Sequence, residues 1–139
     1  MIELTDEVRR AITSGRLAHL STVNEDGSPQ VSVVWCGLDG DDIVIGHLMG
    51  GRKIANIARD PRVAITIETD GANAVGMAHY LIVYGTARLQ EGGAAELLQR
   101  LAEIYVGPGV RFPPMDDPPA GHVIRISAQR LGGVGPWSH

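Results

Sequence analysis

The chain has 139 residues, a length typical of one domain, and its 44% hydrophobic and 20% charged residues exclude a disordered chain. No apolar run reaches the length of about 18 residues that a membrane span needs, so we expect no membrane insertion. The net charge of -4 argues against nonspecific nucleic-acid binding, which depends on basic residues that neutralise phosphates.

The first half of the chain predicts one helix and then a series of strands. The N-terminal segment is charged and lacks the apolar core of a signal peptide, which points to the cytoplasm. Thr5 can cap a helix that ends at Gly15, because its hydroxyl can accept a hydrogen bond from a free backbone N–H. Alternating apolar and polar residues, separated by Asp-Gly turns, then predict strands at residues 16–23, 29–38 and 43–49.

The second half of the chain mixes helices, strands and longer loops. A short amphipathic helix starts at Arg52 and cannot continue past Asp60, because a proline follows. Further strands are predicted at residues 62–68, 79–90 and 122–131, and a longer helix at residues 91–107. The remaining segments are a polar loop at residues 69–76, a stiff proline-rich loop at residues 108–121 and a mobile, glycine-rich terminus from residue 132.

These elements amount to six strands, most of them joined by short turns, and a few flanking helices. Consecutive hairpins with alternating residues favour an antiparallel sheet that closes into a small barrel, with the helices packed outside. The predicted fold class is therefore mainly β, of the α+β type. Residues 1–139 form a single domain without an internal repeat.

The sequence contains none of the common catalytic motifs, so it assigns no catalytic residue. It lacks a serine-nucleophile elbow, a Walker loop, a metal-protease helix and a dinucleotide-binding glycine motif. The five histidines do not share the spacing of metal ligands, and we predict no metal site; a metal or haem ligand at His19 or His47 stays open as an alternative. The single cysteine, Cys36, excludes an intrachain disulfide and is expected to be buried and unreactive.

Arg52 and Lys53 are candidates for binding an anion. Gly50 and Gly51 precede them and let the backbone approach a ligand, while the helix start presents free N–H groups. Cations oppose the helix dipole at this end and are unfavourable there without an anionic partner, so the pair suits a phosphate or carboxylate. An ordinary solvated helix start has the same residues, and this alternative stays open.

Two further features suggest contact with a planar ligand. Trp137 would cover such a ligand, contact a partner subunit, or hold the terminus against its own core. One face of the predicted strand at residues 29–38 carries Gln30, Ser32 and Val34, which combine hydrogen-bonding groups with an apolar patch. This combination suits the edge of a heteroaromatic ring, although outward-facing strand residues look the same.

The order of these motifs resembles the pyridoxamine 5′-phosphate oxidase-like flavoproteins, whose fold is the FMN-binding split β-barrel. The motifs are HLSTVNEDGSPQVSVVW, GGRKIANIARDPRVAITIE, VYGTARL and GVGPW, and together they cover nearly the whole chain. The most specific part is the block from Lys53 to Val63, which lies between the third and fourth predicted strands. Within that superfamily the chain is most similar to the branch that uses the deazaflavin coenzyme F420.

The resemblance implies a homodimer with two cofactor sites in grooves at the subunit interface. Arg52 and Lys53 would hold the phosphate-bearing tail of the cofactor. Asn56 would fix the helix start or the cofactor tail, and Trp137, from the same or the partner subunit, would cover the ring. The residues that would lie along the ring system are Gln30, Ser32, Val34 and His47.

The function that the resemblance implies is hydride transfer between reduced F420 and an unsaturated or heteroaromatic small molecule. Cofactors of this kind supply the redox chemistry, which agrees with the lack of an acid–base motif. The chain is shorter than the true pyridoxamine phosphate oxidases and lacks their R-x-x-x-L-K pattern, which argues against vitamin B6 oxidation. Two alternatives stay open: an FMN-dependent enzyme on the same fold, and a non-catalytic module that carries a flavin or binds haem.

Overall fold

The structure, a computed structural model, describes residues 2–138 and leaves Met1 and His139 outside the description. The described residues form three helices and seven strands. In chain order these are α1 (Asp6–Ile12), β1 (Ala18–Val23), β2 (Pro29–Val34), β3 (Gly37–Asp39), β4 (Asp42–His47), α2 (Arg52–Arg59), β5 (Arg62–Ala72), β6 (Ala78–Glu91), α3 (Ala94–Tyr105) and β7 (His122–Val134). None of the described helices is long and apolar enough to cross a membrane.

The strands form one antiparallel sheet that curls into an incompletely closed barrel. Their order is β2-β1-β5-β6-β7-β4-β3, so β2 and β3 lie at opposite edges. The chain passes from Val34 at the end of β2 to Gly37 at the start of β3, a step of at most about 10 Å. The two edges must therefore approach each other, although no ladder joins them within residues 2–138. The predicted split barrel, mainly β with flanking helices, is confirmed, and an open seam separates its two edges.

Aliphatic side chains from neighbouring strands fill the barrel. Leu20 of β1 lies opposite Ile65 of β5, which in turn lies opposite Val83 of β6, and all three are fully buried. The predicted cap of α1 is confirmed, because the backbone N–H of Val8 donates to the hydroxyl of Thr5 over 3.4 Å. Val8 itself is buried and joins this core. Burial of aliphatic side chains is thus the main force that holds the sheet and α1 together.

The predicted strand at residues 29–38 is two strands, which raises the strand count from the predicted six to seven. β2 ends at Val34 and β3 begins at Gly37. Between them the backbone N–H of Cys36 donates to the hydroxyl of Tyr105 on α3, at 3.1 Å, instead of to a neighbouring strand. The alternation of residues continues across this break, so the sequence pattern could not show that the chain moves from one sheet edge to the other.

The glycine-rich terminus, predicted to be mobile from residue 132, belongs to the sheet as far as Val134. β7 continues to Val134, and Gly132 and Gly133 lie opposite Ile82 and Leu81 of β6. Gly133 has a φ of +100°, and an added Cβ would overlap the carbonyl oxygen of Tyr80, so glycine is required there for close strand pairing. The polar loop predicted at residues 69–76 is likewise shortened, because β5 extends to Ala72.

Trp137 follows this last strand and closes one end of the core. Its side chain is only 7% exposed and belongs to the main hydrophobic cluster. Its indole N–H donates to the carbonyl oxygen of Tyr80 over 3.1 Å, and its ring contacts the edge of His79. Within one protomer, Trp137 therefore packs against its own barrel; its proposed contact with a cofactor ring stays a prediction.

We expect Trp137→Ala to lower the free energy of unfolding by about 3–5 kcal/mol, the usual cost of removing a large aromatic side chain from a core. Trp137→Phe should cost less, because it keeps an aromatic ring and loses the indole hydrogen bond. Urea unfolding without any ligand measures both variants. An unchanged unfolding midpoint in Trp137→Ala would show that the side chain does not stabilise the core.

Candidate functional site

The seam of the barrel holds a cavity of about 340 Å³, called the seam cavity below. Its wall combines the ends of β2 and β4, the first turn of α2, the middle of α3 and the proline-rich loop after α3. Its polar side chains are His47 and Lys53, and its apolar ones include Val34, Trp35 and Phe112. The cavity thus places a cation beside an apolar and aromatic wall.

Lys53 is the only lysine in the chain and points into the seam cavity. Its side chain is partly buried, and this desolvation lowers the pKa of its ammonium group below the usual value for lysine. No carboxylate among residues 2–138 forms an ion pair with it. A partly desolvated cation without a counter-charge favours the binding of an anion.

The start of α2 adds backbone donors to this charge. Gly51 occupies the cap position with a φ of +154° and offers no side chain to accept from the first N–H groups. The first turn contains no acidic residue, so both the N–H groups and the positive end of the helix dipole are uncompensated. Together with Lys53, this helix start has the components of a phosphate or carboxylate site.

His47 lies at the end of β4 and borders the same cavity. Burial and the positive charge of Lys53 lower the pKa of its imidazole, so the ring is neutral at pH 7. Its Nε2 atom is buried and has no hydrogen-bond partner among the described residues. A bound molecule can therefore supply the missing partner, which makes His47 a second polar contact of the cavity.

Arg52 does not join Lys53 in the seam cavity. It is exposed and lines a separate depression of about 500 Å³ between α2 and the β1–β2 turn, beside Asp26 and Arg59. Consecutive residues of a helix point about 100° apart, so adjacent cations serve two neighbouring surfaces. The predicted pair thus flanks the start of α2 and does not form one cluster.

Asn56 holds α2 against the barrel. Its side chain is buried, and its amide donates to Thr22 at 3.0 Å and to Asn24 at 2.9 Å. Its amide oxygen accepts a hydrogen bond from Arg59 at 3.2 Å. Asn56 was predicted to fix either the helix start or the cofactor tail. These contacts support the first role, because they use both the amide nitrogen and the amide oxygen within the protein.

Gln30 and Ser32 continue this hydrogen-bond chain along β2. The hydroxyl of Thr22 donates to Gln30 at 2.8 Å, and the amide of Gln30 donates to Ser32 at 3.0 Å. Neither residue lines the seam cavity, whereas Val34, on the same face of β2, does. The polar groups of this face are thus used within the protein, and its apolar end reaches the cavity.

The structure therefore brings three of the predicted residues together, namely Val34, His47 and Lys53. Trp137 does not line the seam cavity and borders a different depression. The lining residues that the sequence did not predict include Trp35, Leu98 and Phe112. The sequence offered one signal for Phe112, which is that it is the only phenylalanine in the chain.

The other cavities and reactive groups considered lie outside the seam cavity or are unreactive. A larger cavity of about 600 Å³ lies on the outer face of the sheet, but its cation, Arg16, is paired with Asp70. Cys36 is buried as predicted, and burial raises the pKa of its thiol to about 11, so it stays protonated and unreactive. Residues 2–138 contain no group of histidine, cysteine or carboxylate side chains that could hold a metal ion.

We expect the pKa of Lys53 to lie below the value of about 10.4 found for unperturbed lysine. Because it is the only lysine, selective ¹³C-lysine labelling gives one Cε signal, whose chemical shift can be followed against pH. Unfolding in urea should restore the ordinary value, and inorganic phosphate should raise the native value by stabilising the charged form. A native midpoint at or above the urea value would contradict the partial burial of this cation.

A model of the pyridoxamine 5′-phosphate oxidase family matches residues 4–135 of the chain. Sequence comparison with curated proteins finds no match. Among solved structures, an F420 reductase is 25% identical with a TM-score of 0.72, and the match covers 95% of this chain and 98% of that protein. A conserved hypothetical protein of Mycobacterium tuberculosis is 24% identical with a TM-score of 0.72, covering 100% and 87%. The haem storage protein HutZ of Vibrio cholerae is 19% identical with a TM-score of 0.63, covering 95% of each chain, and shows the fold alone.

Proposed function

Because the chain belongs to the pyridoxamine 5′-phosphate oxidase family, we propose that it is an oxidoreductase that uses the deazaflavin F420. In this proposal, reduced F420 supplies a hydride to an unsaturated or heteroaromatic small molecule, and a proton from solvent or a side chain completes the reduction. The observation that carries the proposal is Lys53, a partly buried cation without a carboxylate partner among residues 2–138. The F420 reductase of similar fold and full-length coverage supports the choice of cofactor.

The chain's own residues fit an anionic, ring-bearing cofactor. Lys53 and the uncapped N–H groups of α2 would bind the negatively charged tail, and the exposed Arg52 would extend the positive surface beyond the cavity. Val34 would supply an apolar contact to the ring, and His47 a neutral hydrogen-bonding group. These contacts orient the cofactor and displace water from it.

FMN is the second candidate cofactor, because the family model that matches the chain is that of a flavin enzyme family and FMN also has a phosphate tail. The lysine, the helix start and the apolar wall suit either molecule. A non-catalytic carrier of flavin or haem is the third candidate, since a neutral histidine with an unpartnered nitrogen, His47, borders the cavity.

A homodimer with cofactor sites at the subunit interface is also part of the proposal. The outer face of β2 exposes Val31 (60%) and Val33 (57%), and the same side of the sheet carries Tyr80 and Tyr84, each 38% exposed. Exposed valine and tyrosine side chains on one sheet face are typical of a surface that a partner covers. The larger cavity next to His19 opens on this same face, so a partner subunit would cover it too.

We expect the purified protein to bind F420 more tightly than FMN. Fluorescence titration of F420 and of FMN, each added to cofactor-free protein, measures both dissociation constants. Tighter binding of FMN would favour the flavin enzyme, and a Soret band after haem addition, without binding of either cofactor, would favour the haem carrier. Binding of F420 without turnover of quinones, enones or nitroaromatics would favour a cofactor carrier.

Lys53→Ala should weaken cofactor binding by about 1.5–3 kcal/mol, the value of a charge-assisted hydrogen bond. Arg52→Ala should have a smaller effect, because this side chain is exposed and its charge is screened by solvent. Arg62→Ala is the matched control, since Arg62 is an exposed cation paired with Asp60 near the other end of α2. Affinity that is unchanged in both Lys53→Ala and Arg52→Ala would remove the anion site from the proposal.

Val31→Lys should dissociate the proposed dimer, because it places a charge in the apolar face that the partner would cover. Val106→Lys is the control: Val106 is also 60% exposed but lies after α3, outside the sheet. Analytical ultracentrifugation of the three proteins gives their masses in solution. A wild-type monomer, or dimers of all three proteins, would show that this face is not the interface.

A further inference from the structure

The seam cavity has a second wall that the proposed cofactor contacts do not use. Trp35 and Phe112 both line it, and their rings pack together with centroids 5.0 Å apart at an angle of 54°. Behind them, Tyr105 stacks on Trp35 at 5.4 Å and 13°. Three aromatic rings are therefore assembled at one side of the cavity.

The barrel side of this wall is fixed by the hydroxyl of Tyr105. That oxygen accepts from the backbone N–H of Cys36 at 3.1 Å, and it lies 3.0 Å from the carbonyl oxygen of Arg16, to which it can donate. Tyr105 is on α3, so the hydroxyl ties this helix to the connection between β2 and β3. Gly46 of β4 lets α3 approach, because an added Cβ would lie 2.8 Å from the side chain of Leu98.

The loop side of the wall is clamped by Gln99 of α3. Its amide oxygen accepts from the backbone N–H of Phe112 at 2.8 Å, and its amide nitrogen donates to the carbonyl oxygen of Val110 at 2.7 Å. Glu103, one turn later, accepts from the backbone N–H of Gly109 at 2.9 Å. These hydrogen bonds hold the backbone at the base of the proline-rich loop in place. The Phe112 segment therefore loses little conformational entropy when a ligand packs against its ring.

We propose that Trp35 and Phe112 form a substrate-binding wall that selects flat, apolar ring compounds, with Phe112 as the specificity-determining residue. This inference rests on the proposed function, because it assigns the aromatic side of the seam cavity to the substrate and the Lys53 side to the cofactor. Aromatic rings at fixed angles favour a planar partner, which stacks on one face while meeting another edge. A bulky, saturated or strongly hydrated compound would lose this contact.

The test is the binding of menadione, a flat naphthoquinone, to protein with and without bound F420. In a Trp137→Phe background, Trp35 is the only tryptophan, so quenching of its fluorescence reports contact with the wall. Phe112→Ala should raise the dissociation constant of menadione about tenfold, as expected for a lost aromatic contact. The dissociation constant of F420 should change less than about twofold, the range of a substitution that leaves its site intact.

Met115→Ala is the matched control, because Met115 lies in the same loop but is 45% exposed and does not line the cavity. It should leave both dissociation constants unchanged. Phe112→Leu keeps apolar bulk without a ring and should give an intermediate menadione affinity; it also replaces Phe112→Ala if thermal unfolding shows that variant to be unfolded.

Several results would overturn the inference. These are no quenching of Trp35 by menadione in the otherwise wild-type protein, equal menadione affinity in Phe112→Ala and its parent, or a loss of F420 affinity in Phe112→Ala as large as the loss for menadione. The last result would assign the wall to the cofactor ring. F420 is therefore also titrated into the wild-type protein, which keeps Trp137. Absence of F420 binding there would contradict the proposed function instead, and quenching in the cofactor-free Trp137→Phe protein would still decide whether the wall binds flat rings.

Discussion

Lys53 carries a positive charge into a partly buried position at the start of a helix that no side chain caps. Each of these conditions alone costs free energy: burial disfavours the charge, and the helix dipole opposes it. A bound anion would offset both costs at once, and the proposed cofactor site is built on this contact. The pKa of the His47 imidazole is lowered first by burial and then by the positive charge of Lys53.

The barrel creates the space in which this charge acts. The short step from Val34 to Gly37 brings the edge strands β2 and β3 close, yet no ladder joins them within residues 2–138. The seam that results exposes the ends of β2 and β4 to a shared cavity, and α2 starts beside it. Asn56 keeps α2 in that position through its hydrogen bonds to Thr22 and Asn24, which agrees with the first of its two predicted roles, fixing the helix start.

The seam cavity has two chemically different surfaces. One is polar and cationic, formed by His47 and Lys53, and the other is aromatic, formed by Trp35 and Phe112. Two unlike walls can orient two unlike molecules, as the proposed oxidoreductase reaction would require. Family membership establishes the barrel, whereas the aromatic wall depends on contacts that this particular loop makes with Gln99.

Patterns between near neighbours in the sequence determined the strand alternation, the cap at Thr5, the short helix from Arg52 and the family motif from Lys53 to Val63. Only the tertiary structure decided that Arg52 and Lys53 face different depressions, that Phe112 packs against Trp35, and that Gly132 and Gly133 belong to a strand. The reason is physical: a helix or turn is stabilised by contacts within a few residues, whereas the curl of the sheet and the packing of α3 join residues far apart in the chain. A glycine in a sequence indicates only that the backbone there can adopt many conformations. Whether the segment is mobile or packs closely against a neighbouring strand depends on the tertiary structure, as at Gly133.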